Sequence, residues 1–304
     1  MKIFITGATG FIGSYVTKAL LDRGDSVVAF VRNPGKIPSL MNHPQVQVVE
    51  GELTDFDAMR QGLLGCDACI HIALGWGDTP QAMLERDTLP TVALLEAAAN
   101  AGCKSFVYTS STAAMGEMRS PMHEALRCIP NDLYGATKSA GESFVLGFRN
   151  TPMRRNVIRP GYTFGNPVVS DGVSQPDARF LNMARAILQG QDVSLIQHDG
   201  TQFIHAADLA KLYLAVLDGD CQGEVFLGLS SEWVAWKTVA MEMLMHSPSP
   251  SKTVLQDLGW GAEPILFLVQ KIESTFGLRF TSWPALQDHL EWSLAKAKKE
   301  IGHE

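Results

Sequence analysis

Cysteine is scarce in this sequence, and the few cysteines follow no pairing pattern. There are five, an odd number spread along the chain: Cys66, Cys69, Cys103, Cys128 and Cys221. A disulfide framework is therefore excluded as the basis of the fold, and a reducing cytoplasm is the expected location. Cys66 and Cys69 form a C-x-x-C pair, but no second pair or histidine cluster accompanies them. We therefore expect buried thiols and no metal site.

Dense positive charge and long apolar runs are also missing. The chain has 25 Lys and Arg against 32 Asp and Glu, a net charge of −7, and no basic stretch that could contact a row of phosphates. No apolar run approaches the ~20 residues that cross a bilayer. Glycine appears already at Gly7, which leaves no room for the apolar core of a signal peptide. We expect a small-molecule substrate, with no nucleic-acid or membrane partner.

What the sequence does contain is a regular alternation of short apolar runs and helix-period segments in its first half, typical of βα units. The 304 residues are 46% hydrophobic, which is enough to bury a sizeable core. The predicted strands span 2–5, 26–31, 46–49, 68–72, 105–109, 156–159 and 225–227, and the predicted helices include 90–101, 179–188, 204–217 and 285–299.

This order of elements predicts an α/β fold, a Rossmann-type doubly wound parallel sheet with a smaller, discontinuous C-terminal lobe. Residues 1–160 and 203–228 are expected to form the NAD(P)-binding domain. Residues 161–202 and 229–304 are expected to form the substrate-binding lobe. The sixth strand should stop before Pro160, because proline lacks the N–H that a central strand needs.

A glycine-rich loop joins the first strand to the first helix, with glycines at the G-x-x-G-x-x-G spacing. Gly7 and Gly10 would let the backbone approach a pyrophosphate, whose charge the helix N-terminus stabilises, and Gly13 would let helix and strand pack closely. The loop residues predicted to bind the cofactor are Gly7, Thr9, Gly10, Phe11, Ile12 and Gly13. Strand–turn–helix context makes a dinucleotide the expected ligand.

The end of the second strand distinguishes NAD from NADP. An NAD site has an acid there for the ribose 2′-OH, whereas this chain has Arg32, followed by Lys36. NADP is therefore the predicted cofactor rather than NAD, with Arg32 as the reader of the 2′-phosphate. The residues expected at the adenine and at the linking phosphates are Glu52 and Leu53 after the third strand, and Ala73 and Leu74 after the fourth.

Tyr134 and Lys138 stand four residues apart, on one face of a predicted helix. A nearby ammonium stabilises phenolate, so Lys138 should lower the pKa of Tyr134 toward neutrality and allow it to exchange a proton. The serine-rich strand end Thr109-Ser110-Ser111-Thr112 precedes them.

Together these elements resemble the extended short-chain dehydrogenase/reductase family, which includes the NAD-dependent epimerases and dehydratases. The resemblance covers most of the chain and thins after Leu229. It rests on T-G-A-T-G-F-I-G from Thr6, F-V-Y-T-S-S from Phe106, the run Glu124, Pro130, Tyr134, Lys138 and Glu142, R-P-G from Arg159, and F-I-H-A-A-D-L-A from Phe203.

The resemblance implies a role for each matching residue. Tyr134 would be the general acid/base, and Lys138 would bind the nicotinamide ribose and lower the tyrosine pKa. Ser111 would hydrogen-bond the reacting oxygen, with Ser110 as its neighbour, and Pro160 would pack beside the nicotinamide. A homodimer formed through a helix pair that includes the Tyr/Lys helix is also implied.

Three positions depart from the family pattern. Thr201 stands where nucleotide-sugar enzymes carry an arginine for the substrate diphosphate, and Tyr162 where they often carry a substrate-binding asparagine. Asp87 replaces a common asparagine behind the active site. The arginines that could supply charge from another place are Arg154, Arg155, Arg179 and Arg185, and the candidate substrate contacts are Trp76, Ser110, Tyr162 and Phe164.

Three functions remain open from the sequence. The first is an NADP-dependent oxidoreductase that transfers a hydride between NADP(H) and a carbonyl or secondary alcohol, with tyrosine as acid/base. The second is a nucleotide-sugar epimerase or dehydratase with tightly bound NAD(P). The third, from another class, is a non-catalytic NADP-sensing regulator. Since the chain keeps both Tyr134 and Lys138, an enzyme is the expected reading.

Overall fold

The computed structural model describes residues 1–302, and its elements alternate between strands and helices over most of the chain. The strands are β1 (Lys2–Thr6), β2 (Ser26–Val31), β3 (Val46–Glu50), β4 (Ala68–His71), β5 (Ser105–Thr109), β6 (Arg154–Pro160), β7 (Thr163–Phe164), β8 (Val193–Ile196), β9 (Gly200–Thr201), β10 (Ile204–His205), β11 (Val225–Gly228), β12 (Val234–Ala235) and β13 (Thr253–Gln256).

The helices flank these strands and vary widely in length. They are α1 (Phe11–Asp22), α2 (Pro38–Met41), α3 (Phe56–Leu63), α4 (Pro80–Met83), α5 (Leu89–Asn100), α6 (Leu133–Gly147), α7 (Arg179–Leu188), α8 (Ala206–Asp218), α9 (Trp236–Met245), α10 (Gln270–Phe276) and α11 (Ala285–Ile301), with short 3₁₀ turns at Pro34–Lys36 and Thr112–Met115. A π-helical turn, Leu84–Thr88, joins α4 to α5.

Seven strands form one parallel sheet in the order β11-β6-β5-β4-β1-β2-β3. The order runs outward in both directions from the β1–β4 pair, so a crevice opens at the carboxyl ends of these two strands. This is the predicted Rossmann-type sheet. The central strands β4 and β5 are buried along their whole length. Their nearly continuous apolar sequences are typical of parallel strands that are covered on both faces.

Each face of the sheet carries its own apolar core. On one face α1 and α8 pack together over β1 and β2, with Val16, Leu20 and Leu212 fully buried. On the other face α3, α5 and α6 cover the strands through residues such as Leu63 and Leu94. Helices on both faces explain why the strands show no alternation of polar and apolar residues.

The C-terminal lobe has a separate core, rich in aromatic rings. Helices α7, α9 and α11 pack together around Phe180, Phe203 and Trp236, with ring centroids 5.0 to 5.9 Å apart. Residues from 161–202 and from 229–304 both contribute to it. The proposed domain bounds themselves stay a prediction.

Several elements differ from the sequence-based expectation. Pro160 is the last residue of β6, paired with Gly228, instead of lying beyond the strand; a terminal position tolerates the missing N–H. Helix α9 and the two-residue strands of the lobe carry too short a pattern to be recognised. The five cysteines are all free thiols. Within residues 1–302, no helix combines the length and the apolar character that crossing a membrane requires.

Candidate active site

The glycine loop forms a tight backbone turn at the carboxyl end of β1. Gly7 has φ +76°, and a Cβ there would lie 2.8 Å from the Ala73 nitrogen. A Cβ on Gly13 would lie 2.0 Å from the Gly7 oxygen, so close packing between loop and helix needs glycine at both positions. The N-terminus of α1, capped by no side chain in this part of the described chain, is therefore open to an anion.

A cavity of about 250 Å³ opens beside this loop, at the ends of β4, β5 and β6. It brings together many of the residues predicted from sequence: Phe11, Ile12, Leu74, Ser110, Ser111, Tyr134, Lys138, Pro160 and Tyr162. The glycine turn, the free helix N-terminus and this apolar-walled cavity with a buried ammonium fit the pyrophosphate and nicotinamide ends of a dinucleotide.

The residues predicted for the adenosine end lie along the same edge of the sheet. Arg32 follows β2 and is exposed, as is Lys36 at the end of the 3₁₀ turn. Glu52 and Leu53 follow β3, the next strand outward. Since parallel strands end at one edge, these side chains border the side of the crevice opposite Tyr134.

Tyr134 and Lys138 lie one turn apart on α6, whose N-terminus is capped by Asp132 through the Gly135 amide. The Lys138 ammonium lies 5.9 Å from the Tyr134 ring centroid and 5.3 Å from that of Tyr108. Ser111 caps the 3₁₀ turn after β5, and its hydroxyl accepts a hydrogen bond from the Ala113 amide at 3.1 Å. The spacing read from the sequence thus places a phenol, an ammonium and a hydroxyl on one cavity.

The expected lowering of the Tyr134 pKa was wrong. Burial raises the pKa of this phenol, and the Asp87 and Asp132 carboxylates add to the increase, while the neighbouring Ser111 hydroxyl opposes it. Lys138 contributes no resolved lowering of this pKa, and its ammonium lies 3.9 Å from the Asp87 carboxylate. Tyr134 therefore holds its proton more firmly than a free tyrosine.

Asp87 is the departure from the family pattern with the clearest structural consequence. It lies on the π-helical turn, fully buried, and its Oδ1 accepts a hydrogen bond from the Gly75 amide at 2.9 Å. Its Oδ2 has no hydrogen-bond partner within the described chain and faces Lys138. Burial raises the pKa of Asp87, and burial lowers the pKa of Lys138, whereas each charge opposes the shift of the other.

His71 links the glycine loop to this turn. The Thr91 hydroxyl donates to the Asp87 carbonyl oxygen, so it accepts from His71 Nε2, and His71 Nδ1 accepts from Thr6. Thr6 in turn accepts from the amides of Ile72 and Ala73. Burial lowers the pKa of His71 to about 3. The neutral ring therefore serves as a structural bridge.

A second buried ion pair lies behind Ser110, and the sequence reasoning assigned it no role. Arg159 donates from Nε and Nη2 to both oxygens of Glu142, at 2.8 and 2.7 Å, and Ser110 donates to the same carboxylate. Arg159 Nη2 also lies 3.2 Å from the Cys128 sulfur. This network fixes the end of β5, and with it the backbone that carries Ser111.

Other residues singled out from the sequence lie away from the cavity. Phe164 is fully buried in the aromatic core of the lobe, and Trp76 is 56% exposed with its indole N–H bonded to Asp78. The four candidate arginines are held elsewhere: Arg154 by carbonyls near Gly219, Arg155 by carbonyls at the end of α6, Arg185 by Glu300, and Arg179 by Asp199 and the Trp236 ring.

The sequence reasoning also missed part of the cavity wall. Gln175, Pro176 and Asp177 line it from the connection before α7. The one local signal in this segment is the sequence Gln-Pro-Asp shortly before a predicted helix. That signal does not indicate which strand ends the segment faces.

The Rossmann-type sheet carries a glycine loop and a β1–β4 crevice, and helix α6 adds a Tyr–Lys pair beside them. These features define a class of enzymes that bind a nicotinamide dinucleotide. The model of the NAD dependent epimerase/dehydratase family matches residues 3–227. The chain belongs to this family.

Individual proteins are similar to this chain in sequence or in fold. A 3 beta-hydroxysteroid dehydrogenase/Delta 5→4-isomerase from Mycobacterium tuberculosis is 30% identical over 247 residues, which cover 74% of this chain but only 64% of that protein. Among solved structures, UDP-glucuronic acid 4-epimerase from Bacillus cereus with NAD has a TM-score of 0.80 at 23% identity, covering 98% and 99% of the two chains. WbmH from Bordetella bronchiseptica with NAD⁺ has a TM-score of 0.79 at 25% identity, covering 99% of both.

Proposed function

We propose that the protein is an NADP-dependent oxidoreductase that reduces a carbonyl group on a small substrate without an anionic group. The observation that carries the proposal is the composition of the cavity wall. Among the described residues that line it, Lys138 is the single cation, and it is buried beside Asp87. A nucleotide sugar would bring two phosphate charges into a cavity with no arginine to pair with them.

The chain's own residues then divide the chemistry. When bound, the nicotinamide supplies the hydride for the carbonyl carbon. Tyr134 donates its phenolic proton to the carbonyl oxygen, so that a secondary alcohol results, and the Ser111 hydroxyl orients that oxygen. The raised pKa of Tyr134 keeps it protonated at neutral pH, which suits the acid required for reduction.

NADP is favoured over NAD by Arg32, which takes the position where an NAD site has an acid. Lys36 lies on the adjoining turn and is also exposed, so two cations border the expected 2′-phosphate. A reducing cytoplasm is the proposed compartment, since all five cysteines are free.

The second candidate is a nucleotide-sugar epimerase, favoured by the fold similarity to the Bacillus cereus enzyme. One assay separates the two. The purified protein is incubated with NADPH and a panel of ketones and aldehydes, and separately with UDP- and dTDP-sugars, while absorbance at 340 nm is followed. Net NADPH oxidation by a carbonyl compound supports the reductase. Sugar conversion without a net absorbance change contradicts it, and cofactor binding without any conversion indicates a regulator.

We also propose a homodimer formed through α5 and α6. An apolar cleft of about 370 Å³ lies between these helices, bordered by Val92, Leu95, Phe144 and Phe148. The Phe144 side chain is 50% exposed there. A second copy of the same helix pair would cover this surface in a two-fold interface.

A further inference from the structure

The connection before α7 brings hydrogen-bond acceptors of Gln175 and Asp177 to the cavity wall. Gln175 is 9% exposed, and its Nε2 donates to the Asp177 carbonyl oxygen at 3.3 Å. Its Oε1 is buried and has no partner within the described chain. A buried amide oxygen without a hydrogen bond is destabilising, so this atom favours a ligand that brings a donor.

Asp177 adds negative charge to the same wall. One carboxylate oxygen accepts a hydrogen bond from the Arg179 amide at 2.7 Å. Burial raises the pKa of the Tyr162 phenol, and the neighbouring Asp177 carboxylate adds to the increase. Tyr162 therefore stays neutral, and Asp177 is the one anion among the described lining residues.

The guanidinium of Arg179, two residues further along the chain, is bound elsewhere. The Arg179 guanidinium lies 4.5 Å from the Trp236 ring centroid, and its Nη1 donates to Asp199 at 3.2 Å. It is not among the residues that line the cavity. The Asp177 side chain is exposed, so solvent screens its charge, but an anionic substrate beside it would still be repelled, and Lys138, the one cation among the described lining residues, is already paired with Asp87.

We propose that Gln175 and Asp177 form the specificity wall of the substrate site and select a carbonyl compound that carries a hydrogen-bond donor, such as an amide N–H, hydroxyl or ammonium, while rejecting carboxylates and phosphates. The inference rests on the proposed reductase function, because Ser111 and Tyr134 define where the carbonyl oxygen lies. Other lining residues, including Ile72 and Pro160, add apolar surface for the carbon skeleton of the substrate.

A matched series of para-substituted acetophenones tests the proposal, since the carbonyl and ring stay constant. The substituents are hydrogen, carboxamide, aminomethyl and carboxylate. The wild-type protein with saturating NADPH should show kcat/KM at least about tenfold higher for the carboxamide and aminomethyl compounds than for the carboxylate. Calorimetric binding of the four compounds to the NADPH-bound protein should give the same ranking, which separates specificity from turnover.

Two substitutions test whether Gln175 and Asp177 cause this ranking of the four compounds. Asp177→Asn should lower the aminomethyl-to-acetophenone ratio about tenfold and raise the relative rate for the carboxylate. Gln175→Met, of similar size, should lower the carboxamide-to-acetophenone ratio. Asp192→Asn removes an exposed acid outside the cavity and should leave every ratio unchanged.

Three outcomes overturn the proposal. A preference for the carboxylate would mean that Arg179 turns into the cavity to bind anions. Equal effects of Asp177→Asn on all four compounds would remove it from substrate selection. A change in NADPH affinity without a change in the ratios would mean that the wall contacts the cofactor amide. If the compounds bind in the expected order but none is reduced, the proposed reductase activity fails while the specificity wall stands.

Discussion

Removing either charge of the Asp87–Lys138 pair should destabilise the protein strongly. The Asp87 side chain is fully buried and that of Lys138 is 3% exposed, with 3.9 Å between Oδ2 and Nζ. Unit charges at this distance attract by about 4 kcal/mol at an effective dielectric constant near 20. Loss of one partner leaves the other charge uncompensated, so Asp87→Asn and Lys138→Met should each cost about 3–5 kcal/mol.

The double variant carries neither charge and should cost well below the sum of the two single changes. Urea unfolding at neutral pH measures all three against the wild type. Asp22→Asn, which breaks the exposed pair with Lys18, is the control and should cost under ~1 kcal/mol. Additive costs in the double variant would show that the two buried groups do not interact, and would refute the reasoning.

Further predictions concern the pH profile, the cofactor and the dimer. Because the Asp87 carboxylate raises the pKa of Tyr134, Asp87→Asn should lower that pKa. Reduction needs the protonated phenol, so kcat/KM for a ketone should begin to decline at a lower pH in the variant than in the wild type. A decline that begins at higher pH contradicts this prediction. Arg32→Ala should weaken NADPH binding about tenfold or more and NADH binding little, as measured by fluorescence titration; equal losses would mean that Arg32 does not contact the 2′-phosphate. Gly13→Ala places a Cβ 2.0 Å from the Gly7 oxygen and should abolish dinucleotide binding in calorimetry, whereas Gly147→Ala, with open space around it, should not. Phe144→Glu should convert a dimer to a monomer in sedimentation analysis; an unchanged mass would place the interface elsewhere.

Features with a local cause were predictable from the sequence. The glycine loop, the end of β2 at Val31 and the Tyr134–Lys138 spacing each depend on residues within one turn or one strand. The parallel sheet followed from the alternation of apolar runs and helices.

Features that depend on distant neighbours were not predictable. The raised pKa of Tyr134 comes from burial and from Asp87, which lies 47 residues earlier in the chain. Gln175 and Asp177 reach the cavity through an irregular connection with no periodic pattern. Phe164 looked like a substrate contact because aromatic residues cluster in the lobe, yet its ring packs against Phe180 and His205.

The central claim is that Tyr134 supplies the proton in a carbonyl reduction that consumes NADPH. The most direct measurement compares Tyr134→Phe with the wild type, using the best carbonyl substrate for kcat/KM at 340 nm and fluorescence titration for NADPH. The account predicts a loss of activity of about 10²–10⁴-fold with NADPH affinity nearly unchanged. Unaltered turnover would contradict the mechanism.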